Sequence, residues 1–216
     1  SSGEWKAMVA DEAARTTFAK NIKTVLEKNK LDGIDLDFEW AENEKEYKDY
    51  SLAILKMREV LGDKYLFSVS LHPVCYKISK EAIEAVDFIS LQCYGPSPVR
   101  FPIEKYCSDI QMVLEYGIPK EKLVAGVPFY GVTKDNSKKT EAYFNFVQNG
   151  LVTSPAQNEV IYQGDTYVFD GQDNIRIKTR YAKEQKLKGM MSWDLATDLP
   201  LSDSRSLLKT MTEELR

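Results

Sequence analysis

The sequence is poor in the residues that metal centres and disulfide frameworks require. Its 216 residues include one histidine, His72, and three cysteines. A metal site built from several histidines is therefore impossible, and a Ser-His-Asp triad is disfavoured. Cys75, Cys93 and Cys107 are an odd number without metal-like spacing, so we expect buried, small hydrophobic side chains rather than disulfide bonds.

Strong positive charge and long apolar runs are also missing. The formal net charge is −4 and no basic cluster stands out, so nucleic acid is not expected as a partner. No apolar run approaches the roughly 20 residues that a membrane-spanning helix needs. Hydrophobic residues make up 43% of the chain, which is enough to bury a core, and the length is that of one globular domain.

The most informative stretch is residues 31–40, which read L-D-G-I-D-L-D-F-E-W. From Gly33 onward apolar and acidic residues alternate strictly, and this period of two predicts a β-strand. One face of the strand carries Asp35, Asp37 and Glu39, with about 7 Å between neighbours on that face. Carboxylates this close repel one another, so we expect at least one to hold its proton at neutral pH. The alternative is a half-exposed strand with a solvated acidic face.

Helix and strand patterns alternate along the rest of the chain. Helices are predicted at residues 11–29, 42–61, 79–85, 103–116, 141–149, 175–185 and 202–215. Further strands are predicted at residues 65–71, 86–94, 122–131 and 189–194, with a surface hairpin at 160–169 and the end of a strand at 1–3. This order predicts an α/β fold of parallel strands with helical crossovers.

Parallel strands of this kind close into a (β/α)8 TIM barrel, which needs about 250 residues. The predicted strands fall two short of eight, so we expect two further strands upstream of Ser1. The whole chain, 1–216, is then the C-terminal portion of one catalytic barrel. A small excursion at about 132–182 separates its last two strands. An open, doubly wound sheet is the second candidate.

Residues 31–40 resemble the D-G-x-D-x-D-x-E signature of the family 18 glycoside hydrolases, the chitinase family. The matching residues are Asp32, Gly33, Asp35, Asp37 and Glu39. Four further segments resemble motifs of the family, in the same order along the chain. Residues 1–3 are similar to the end of its third strand, and residues 92–94 to its Met-x-Tyr-Asp segment. Residues 126–131 are similar to its Gly-Ile-Pro-Phe-Tyr-Gly strand, and residues 189–193 to its final Gly-x-Met-x-Trp strand. The resemblance covers nearly the whole chain.

This resemblance implies a retaining glycosidase that cleaves β-1,4-linked N-acetylglucosamine by substrate-assisted catalysis. Glu39 would be the general acid. Asp37 would hold the acetamido N–H of the sugar, and Asp35 would share a proton with Asp37. Tyr94 would donate its hydroxyl to the acetamido oxygen. No cofactor and no metal are implied.

The same resemblance suggests residues that bind the sugar. Trp193 would stack against the apolar face of the pyranose ring, and Gln92 would bind sugar hydroxyls. Trp40 either lines the cleft or packs against the protein. The expected partner is an oligosaccharide or polysaccharide that contains N-acetylglucosamine, acted on by a monomer that is secreted or held in the cell envelope.

Three departures from the family pattern bear on the substrate. Gly95 stands where many members carry Asp, so one polar contact to the sugar is expected to be absent. Gln92 replaces the commoner Met, which suggests a subgroup with a different substrate preference. Residues 130–189 are too few for the full insertion that deepens the cleft of some processive chitinases. Short, soluble chains are therefore the expected substrate.

Other functions remain open at this point. The glycan can be chitin oligosaccharide, the chitobiose core of N-glycans cut by an endo-β-N-acetylglucosaminidase, or peptidoglycan. A chitin-oligosaccharide-binding protein without catalysis is a second class, which the presence of Glu39 disfavours. A third class is a barrel enzyme that uses Asp35, Asp37 and Glu39 as oxygen ligands for magnesium or calcium.

Overall fold

The computed structural model describes residues 2–95, 101–135 and 138–216. Its helices in these ranges are α1 (Ser2–Ala10), α2 (Glu12–Asn29), α3 (Glu44–Leu61), α4 (Lys80–Ala85), α5 (Ile103–Tyr116), α6 (Tyr143–Gln148), α7 (Gln172–Glu184) and α8 (Leu207–Leu215). Its strands are β1 (Gly33–Asp37), β2 (Leu66–Leu71), β3 (Phe88–Leu91), β4 (Leu123–Pro128), β5 (Tyr130–Thr133), β6 (Thr140–Ala142), β7 (Glu159–Tyr162), β8 (Asp165–Val168) and β9 (Gly189–Trp193). None of the described helices is long and apolar enough to cross a membrane.

The first of two compact units comprises the residues up to Leu91 together with Val113–Leu123. Strands β1, β2 and β3 lie side by side and parallel, and Asp37, Ser70 and Ser90 share one register row. Capping residues set where the helices of this unit begin. The Asp11 carboxylate accepts from the Ala14 N–H at the start of α2, and side-chain caps also begin α3 and α4. The core of the unit includes Tyr50, Ile54, Met57 and Phe67.

The second unit comprises Gln92–Met112 and Val124–Arg216. Strands β4 and β9 pair in parallel, so that Pro128 lies opposite Trp193. A separate antiparallel sheet has the strand order β6-β5-β8-β7. The ring of Phe146 on α6 packs against the rings of Tyr167 and Phe169, which fixes this sheet onto its helix. The division into one catalytic domain with an excursion at about 132–182 stays a prediction.

One predicted strand is wrong, and a second is confirmed only in part. Ser2 and Gly3 do not end a strand, because they begin α1, which has Glu4 in its first turn as helix N-termini favour; Ser1 lies outside the described residues. The predicted strand at 122–131 is divided at Phe129, whose N–H donates to the Trp193 carbonyl while its own carbonyl accepts from the Tyr143 N–H. The first half therefore pairs with β9, and the second half belongs to the antiparallel sheet.

The helix predicted at 202–215 begins later than expected, at Leu207. Ser206 is its cap and accepts from the Lys209 N–H. The Asp198 carboxylate also accepts from the Ser206 hydroxyl and from the Leu207 N–H. These acceptors satisfy N–H groups of the first turn, so the helix starts where the caps are rather than where the apolar pattern starts.

Candidate functional site

The acidic strand β1 has the alternation that the sequence predicts. Leu36 and Phe38 are buried, with 4% and 1% of their surfaces exposed, whereas Asp35, Asp37 and Glu39 are exposed. The strand itself ends at Asp37, so Glu39 lies two residues beyond its carboxyl end. Two of the three carboxyl groups therefore lie on regular strand, and the third lies on the segment that follows it.

The carboxylate of Asp35 is held by two hydroxyl groups of the neighbouring strand. Ser68 Oγ donates to Asp35 Oδ1 at 2.6 Å, and Ser70 Oγ donates to Asp35 Oδ2 at 2.8 Å. The parallel register places Asp35 opposite Ser68 and Asp37 opposite Ser70. Both carboxylate oxygens of Asp35 thus have a donor, and the orientation of the group is fixed from β2.

The back of β1 rests on a tyrosine of α3. The Tyr50 ring packs on Phe38 with 4.8 Å between centroids, and its hydroxyl donates to the Leu36 carbonyl at 3.3 Å. Burial raises the pKa of Tyr50, and the charges of Cys75, Asp35 and Asp37 raise it further. Tyr50 therefore stays protonated and continues to donate to the backbone of the acidic strand.

The segment after Glu39 is anchored by Cys75. The peptide bond between Glu39 and Trp40 is cis. The next residue, Ala41, donates its N–H to Cys75 Sγ at 3.3 Å. Burial raises the pKa of the Cys75 thiol, and the charge of Glu39 also contributes to the rise. Cys75 is thus a buried thiol whose sulfur accepts a hydrogen bond from the backbone two residues beyond Glu39.

Trp40 lies half-buried against His72, with 5.2 Å between the ring centroids. Its indole N–H is buried and has no acceptor among the residues that the structure describes. His72 is itself buried, and its Nδ1 accepts from the Val74 N–H at 3.3 Å. The ring of Trp40 therefore packs on the protein. Whether it also binds a sugar stays a prediction.

Two predicted site residues, Gln92 and Tyr94, come directly after β3 in the sequence and belong to the second unit. Gln92 is half-buried and Tyr94 is buried, with 6% of its surface exposed. The Tyr94 hydroxyl lies 3.9 Å from Met191 Sδ, and the edge of its ring faces Tyr130 at 6.4 Å between centroids. Packing against Met191 and Tyr130 fixes the direction of the phenol group.

Trp193 ends β9 and has 57% of its surface exposed. It is joined to Asp194 by a cis peptide bond. Asp194 caps the short 3-10 helix Leu195–Thr197: its carboxylate accepts from the Ala196 N–H at 2.7 Å, and Thr197 bonds back to its backbone. This capping box fixes the backbone directly after Trp193 and leaves the indole ring open to solvent.

A recess of about 350 Å³ opens beside Trp193 in the second unit. The residues that line it are Tyr130, Thr140, Glu141, Ala142, Trp193, Asp194 and Thr197. Both strands of the β5–β6 pair contribute, since Tyr130 and Ala142 lie opposite each other and both line the recess. An aromatic surface and carboxylate groups thus meet in one concave site.

Several residues at these sites were not predicted from the sequence. Ser68 and Ser70 contact Asp35, and Glu141 lines the recess beside Trp193. The signal for the two serines was present, because Phe67, Val69 and Leu71 alternate with them as the apolar residues alternate in β1. No pattern in the sequence marked Glu141.

Residues 2–95, 101–135 and 138–216 contain no group of three or more His, Cys, Asp or Glu side chains that could hold a metal ion. The roles of Glu39, Asp37, Asp35, Tyr94, Trp193, Gln92 and Trp40 stay predictions. Within the first unit, the three acids lie on one exposed face of the chain around β1. Within the second unit, Trp193 lies at a recess and Tyr94 is packed beside Tyr130.

Comparison with known proteins gives a consistent family. The family described as "Glycosyl hydrolases family 18" matches residues 1–198. A relative from Drosophila melanogaster, "Probable chitinase 2", is 23% identical over 261 residues, covering 91% of this chain and 54% of its own length. The chain spans roughly half the length of the curated relatives it matches, from 39% to 65% in three of them.

Solved structures show the same fold. The GH18 chitinase ChiB from the chitin utilization locus of Flavobacterium johnsoniae has a TM-score of 0.82 at 26% identity, with 99% of this chain and 69% of that chain covered. A class V chitinase from Nicotiana tobaccum, solved in complex with NAG4, has a TM-score of 0.82 at 16% identity, with 99% and 77% covered. The likeness confirms the predicted fold class, α/β of the TIM-barrel type that these chitinases share.

Proposed function

Because the chain belongs to the glycosyl hydrolases family 18, we propose that it hydrolyses β-1,4 linkages between N-acetylglucosamine units, with retention at the anomeric carbon. The observation that supports this most directly is the row of Asp35, Asp37 and Glu39, exposed at and just beyond the carboxyl end of a parallel strand. Catalytic groups of barrel enzymes occur at this end of the strands. Relatives named chitinase favour chitin oligosaccharides as the substrate class.

In the proposed reaction Glu39 donates its proton to the glycosidic oxygen as the bond to the anomeric carbon breaks. The acetamido oxygen of the same sugar attacks that carbon and forms a cyclic oxazolinium ion. The Glu39 carboxylate then takes a proton from water, whose oxygen attacks the anomeric carbon and opens the ring. The proton taken from water restores the acid form of Glu39, and the configuration at the anomeric carbon is retained.

Asp37 accepts from the acetamido N–H and stabilises the positive charge of the oxazolinium ion. Asp35 acts through Asp37, by sharing a proton with it. The hydroxyl groups of Ser68 and Ser70 support this role, because they hold Asp35 in one orientation. Ser68 and Ser70 are thus positioning residues in the proposal.

The remaining predicted residues bind the sugar. Tyr94 donates its hydroxyl to the acetamido oxygen and so turns that oxygen towards the anomeric carbon. The exposed face of Trp193 stacks on the pyranose ring. Gln92 bonds to sugar hydroxyls, and Trp40 contributes a ring edge beside Glu39. Secretion or attachment to the cell envelope fits a polymeric substrate.

The test is product analysis of N-acetylchitotetraose digested by the full chain and by its Glu39→Gln variant. We expect β-anomer products from the unaltered chain. Removal of the general acid should lower the rate by about 10²–10⁴-fold, because the leaving oxygen is no longer protonated. Binding of the tetramer should persist in the variant, since the amide has nearly the shape of the acid.

The control is Glu42→Gln, which makes the same change three residues further on. Glu42 is exposed and pairs with Lys6 at 2.7 Å, so this variant should hydrolyse the tetramer like the unaltered chain. Release of α-anomer products would contradict the retaining mechanism. Binding without cleavage by the unaltered chain would favour a sugar-binding protein, and cleavage of N-glycans or peptidoglycan in place of the tetramer would favour those glycans.

A further inference from the structure

The recess beside Trp193 has a charge that the proposed reaction does not require. Two of its lining residues, Glu141 and Asp194, carry carboxylates, and two, Tyr130 and Trp193, carry large aromatic rings. Of the described residues that line it, none is lysine or arginine. A concave site with aromatic walls and net negative charge favours a cation, because both the ring faces and the carboxylates attract it.

Hydrogen bonds to one of its two carboxylate oxygens hold Glu141 in place. Glu141 Oε1 accepts from the Ala142 N–H at 2.9 Å and from Asn145 Nδ2 at 2.6 Å. Among the residues that the structure describes, no hydrogen-bond donor or cation is paired with Oε2. The carboxylate is therefore oriented by Oε1, and Oε2 remains available to a ligand.

Two lysines in the connection between β5 and β6 are paired with other carboxylates. Lys139 Nζ binds Asp165 at 2.6 Å, and Lys134 Nζ binds Glu159 at 2.7 Å. The carboxylate of Asp194 caps a helix through the Ala196 N–H. Glu141 is thus the lining carboxylate whose charge is not committed to a lysine or to a helix end.

We propose that Glu141 is a specificity-determining residue whose Oε2 binds the ammonium group of a glucosamine unit other than the one whose acetamido oxygen attacks, so that the recess prefers partly deacetylated chitin chains. This inference deepens the proposed function and rests on it for the sugar that stacks on Trp193. An acetylated nitrogen carries no charge and gains little from a carboxylate. A protonated amine gains a charge-assisted hydrogen bond.

The test measures binding separately from hydrolysis, by calorimetry in the Glu39→Gln background. The ligands are the fully acetylated tetramer and tetramers that each carry one glucosamine unit at a defined position. We expect one of these isomers to bind about three- to tenfold more tightly than the acetylated tetramer. Adding Glu141→Gln should bring the ratio of the two Kd values close to 1, and high salt should reduce the ratio as well.

The matched control is Glu159→Gln on β7, which removes a carboxylate of the same sheet outside the recess and should keep the preference. An unchanged ratio in the Glu141 variant would overturn the inference, and so would an equal weakening of both ligands or no binding of either. Selective binding without hydrolysis in the unaltered chain would contradict the proposed function alone. Hydrolysis without selectivity would contradict this inference alone.

Discussion

At the scale of single residues, two serine hydroxyl groups fix the orientation of the Asp35 carboxylate in the acidic row. A carboxylate that accepts at both oxygens is held in one rotamer, and Ser68 provides this from a buried position. Asp35 in turn is the group that the proposed reaction uses to control the proton on Asp37. The orientation of Asp35 therefore depends on β2, a strand that carries no acidic residue.

Ser68→Ala should lower kcat about tenfold with a smaller effect on KM, because Asp35 loses a fixed donor and its orientation relaxes. The dependence of kcat on pH should change as well, since in the proposed reaction Asp35 shares a proton with Asp37 and would no longer be held in one orientation. Steady-state kinetics on N-acetylchitotetraose from pH 4 to 9 measures both quantities.

Ser51→Ala is the control for losing a buried hydroxyl. Ser51 Oγ donates to the Tyr47 carbonyl and accepts from the Ser79 N–H on the helical side of the first unit. This variant should lose stability and keep the pH profile of the unaltered chain. A Ser68 variant with an unchanged profile and unchanged kcat would remove the positioning role.

The acidic residues were predictable from the sequence, whereas the residues that hold them were not singled out. Strict alternation around Asp35 and Asp37 requires one apolar face, and the structure buries Leu36 and Phe38 on it. Contacts across strands depend on register, which the sequence of one strand does not contain. Ser68 and Glu141 owe their positions to such pairings.

At the scale of secondary-structure elements, an ion pair helps to hold α3 against the strands. Arg58 on α3 binds Asp87 at 2.8 Å, and the same Asp87 oxygen accepts from the Phe67 N–H at 2.7 Å. Burial raises the pKa of Asp87, but the Phe67 N–H and the Arg58 guanidinium outweigh it and hold the pKa below its usual value. The charged form of Asp87 thus stabilises the fold.

Asp87→Asn should reduce the free energy of unfolding at pH 7 by about 1 kcal/mol, a modest value because solvent screens a side chain that is 39% exposed. The folded-state pKa lies below the unfolded one, about 3.9, so the stabilisation is present above that pH and lost as the pH falls through the folded pKa. Urea unfolding at pH 7 and pH 3 should therefore show a smaller difference at pH 3.

Glu84→Gln on α4 is the control, since this exposed carboxylate approaches Lys80 only at 3.8 Å. Its effect should be small at both pH values. A difference between Asp87→Asn and the unaltered chain that grows on acidification would show that the sign of the linkage is wrong.

The order of elements was largely predictable, and the errors have local causes. Helix α5 has the predicted bounds, Ile103–Tyr116. The strand predicted at 122–131 is confirmed up to Pro128 and wrong beyond it, because a continuous apolar run does not reveal where a chain leaves one sheet for another. Phe129 makes that change through backbone hydrogen bonds, and Gly131 permits it, since a Cβ there would lie 2.7 Å from the Phe146 ring.

At the scale of the whole molecule, family membership and the acidic row leave two kinds of chemistry for the carboxylates, proton transfer or metal binding. Both oxygens of the Asp35 carboxylate accept a hydrogen bond from a serine hydroxyl group. The substrate-assisted reaction proposed above takes its nucleophile from the sugar and its acid from Glu39. It has no step that a cation would catalyse.

Hydrolysis of the tetramer should therefore be unchanged by excess EDTA, measured after dialysis against the chelator. The result that would contradict this is a loss of activity that magnesium or calcium restores, while zinc does not. Such a result would make Asp35, Asp37 and Glu39 oxygen ligands for a hard cation. The Glu39→Gln variant would then lose metal affinity together with activity.

The exposed ring of Trp193 also gives the protein an optical property. The chain has three tryptophans; Trp5 and Trp40 are half-buried, whereas Trp193 is exposed at its recess. Indole emission moves to shorter wavelength when water is displaced from the ring. A sugar that covers Trp193 therefore alters the long-wavelength part of the intrinsic fluorescence, and occupancy of this site reports itself without a label.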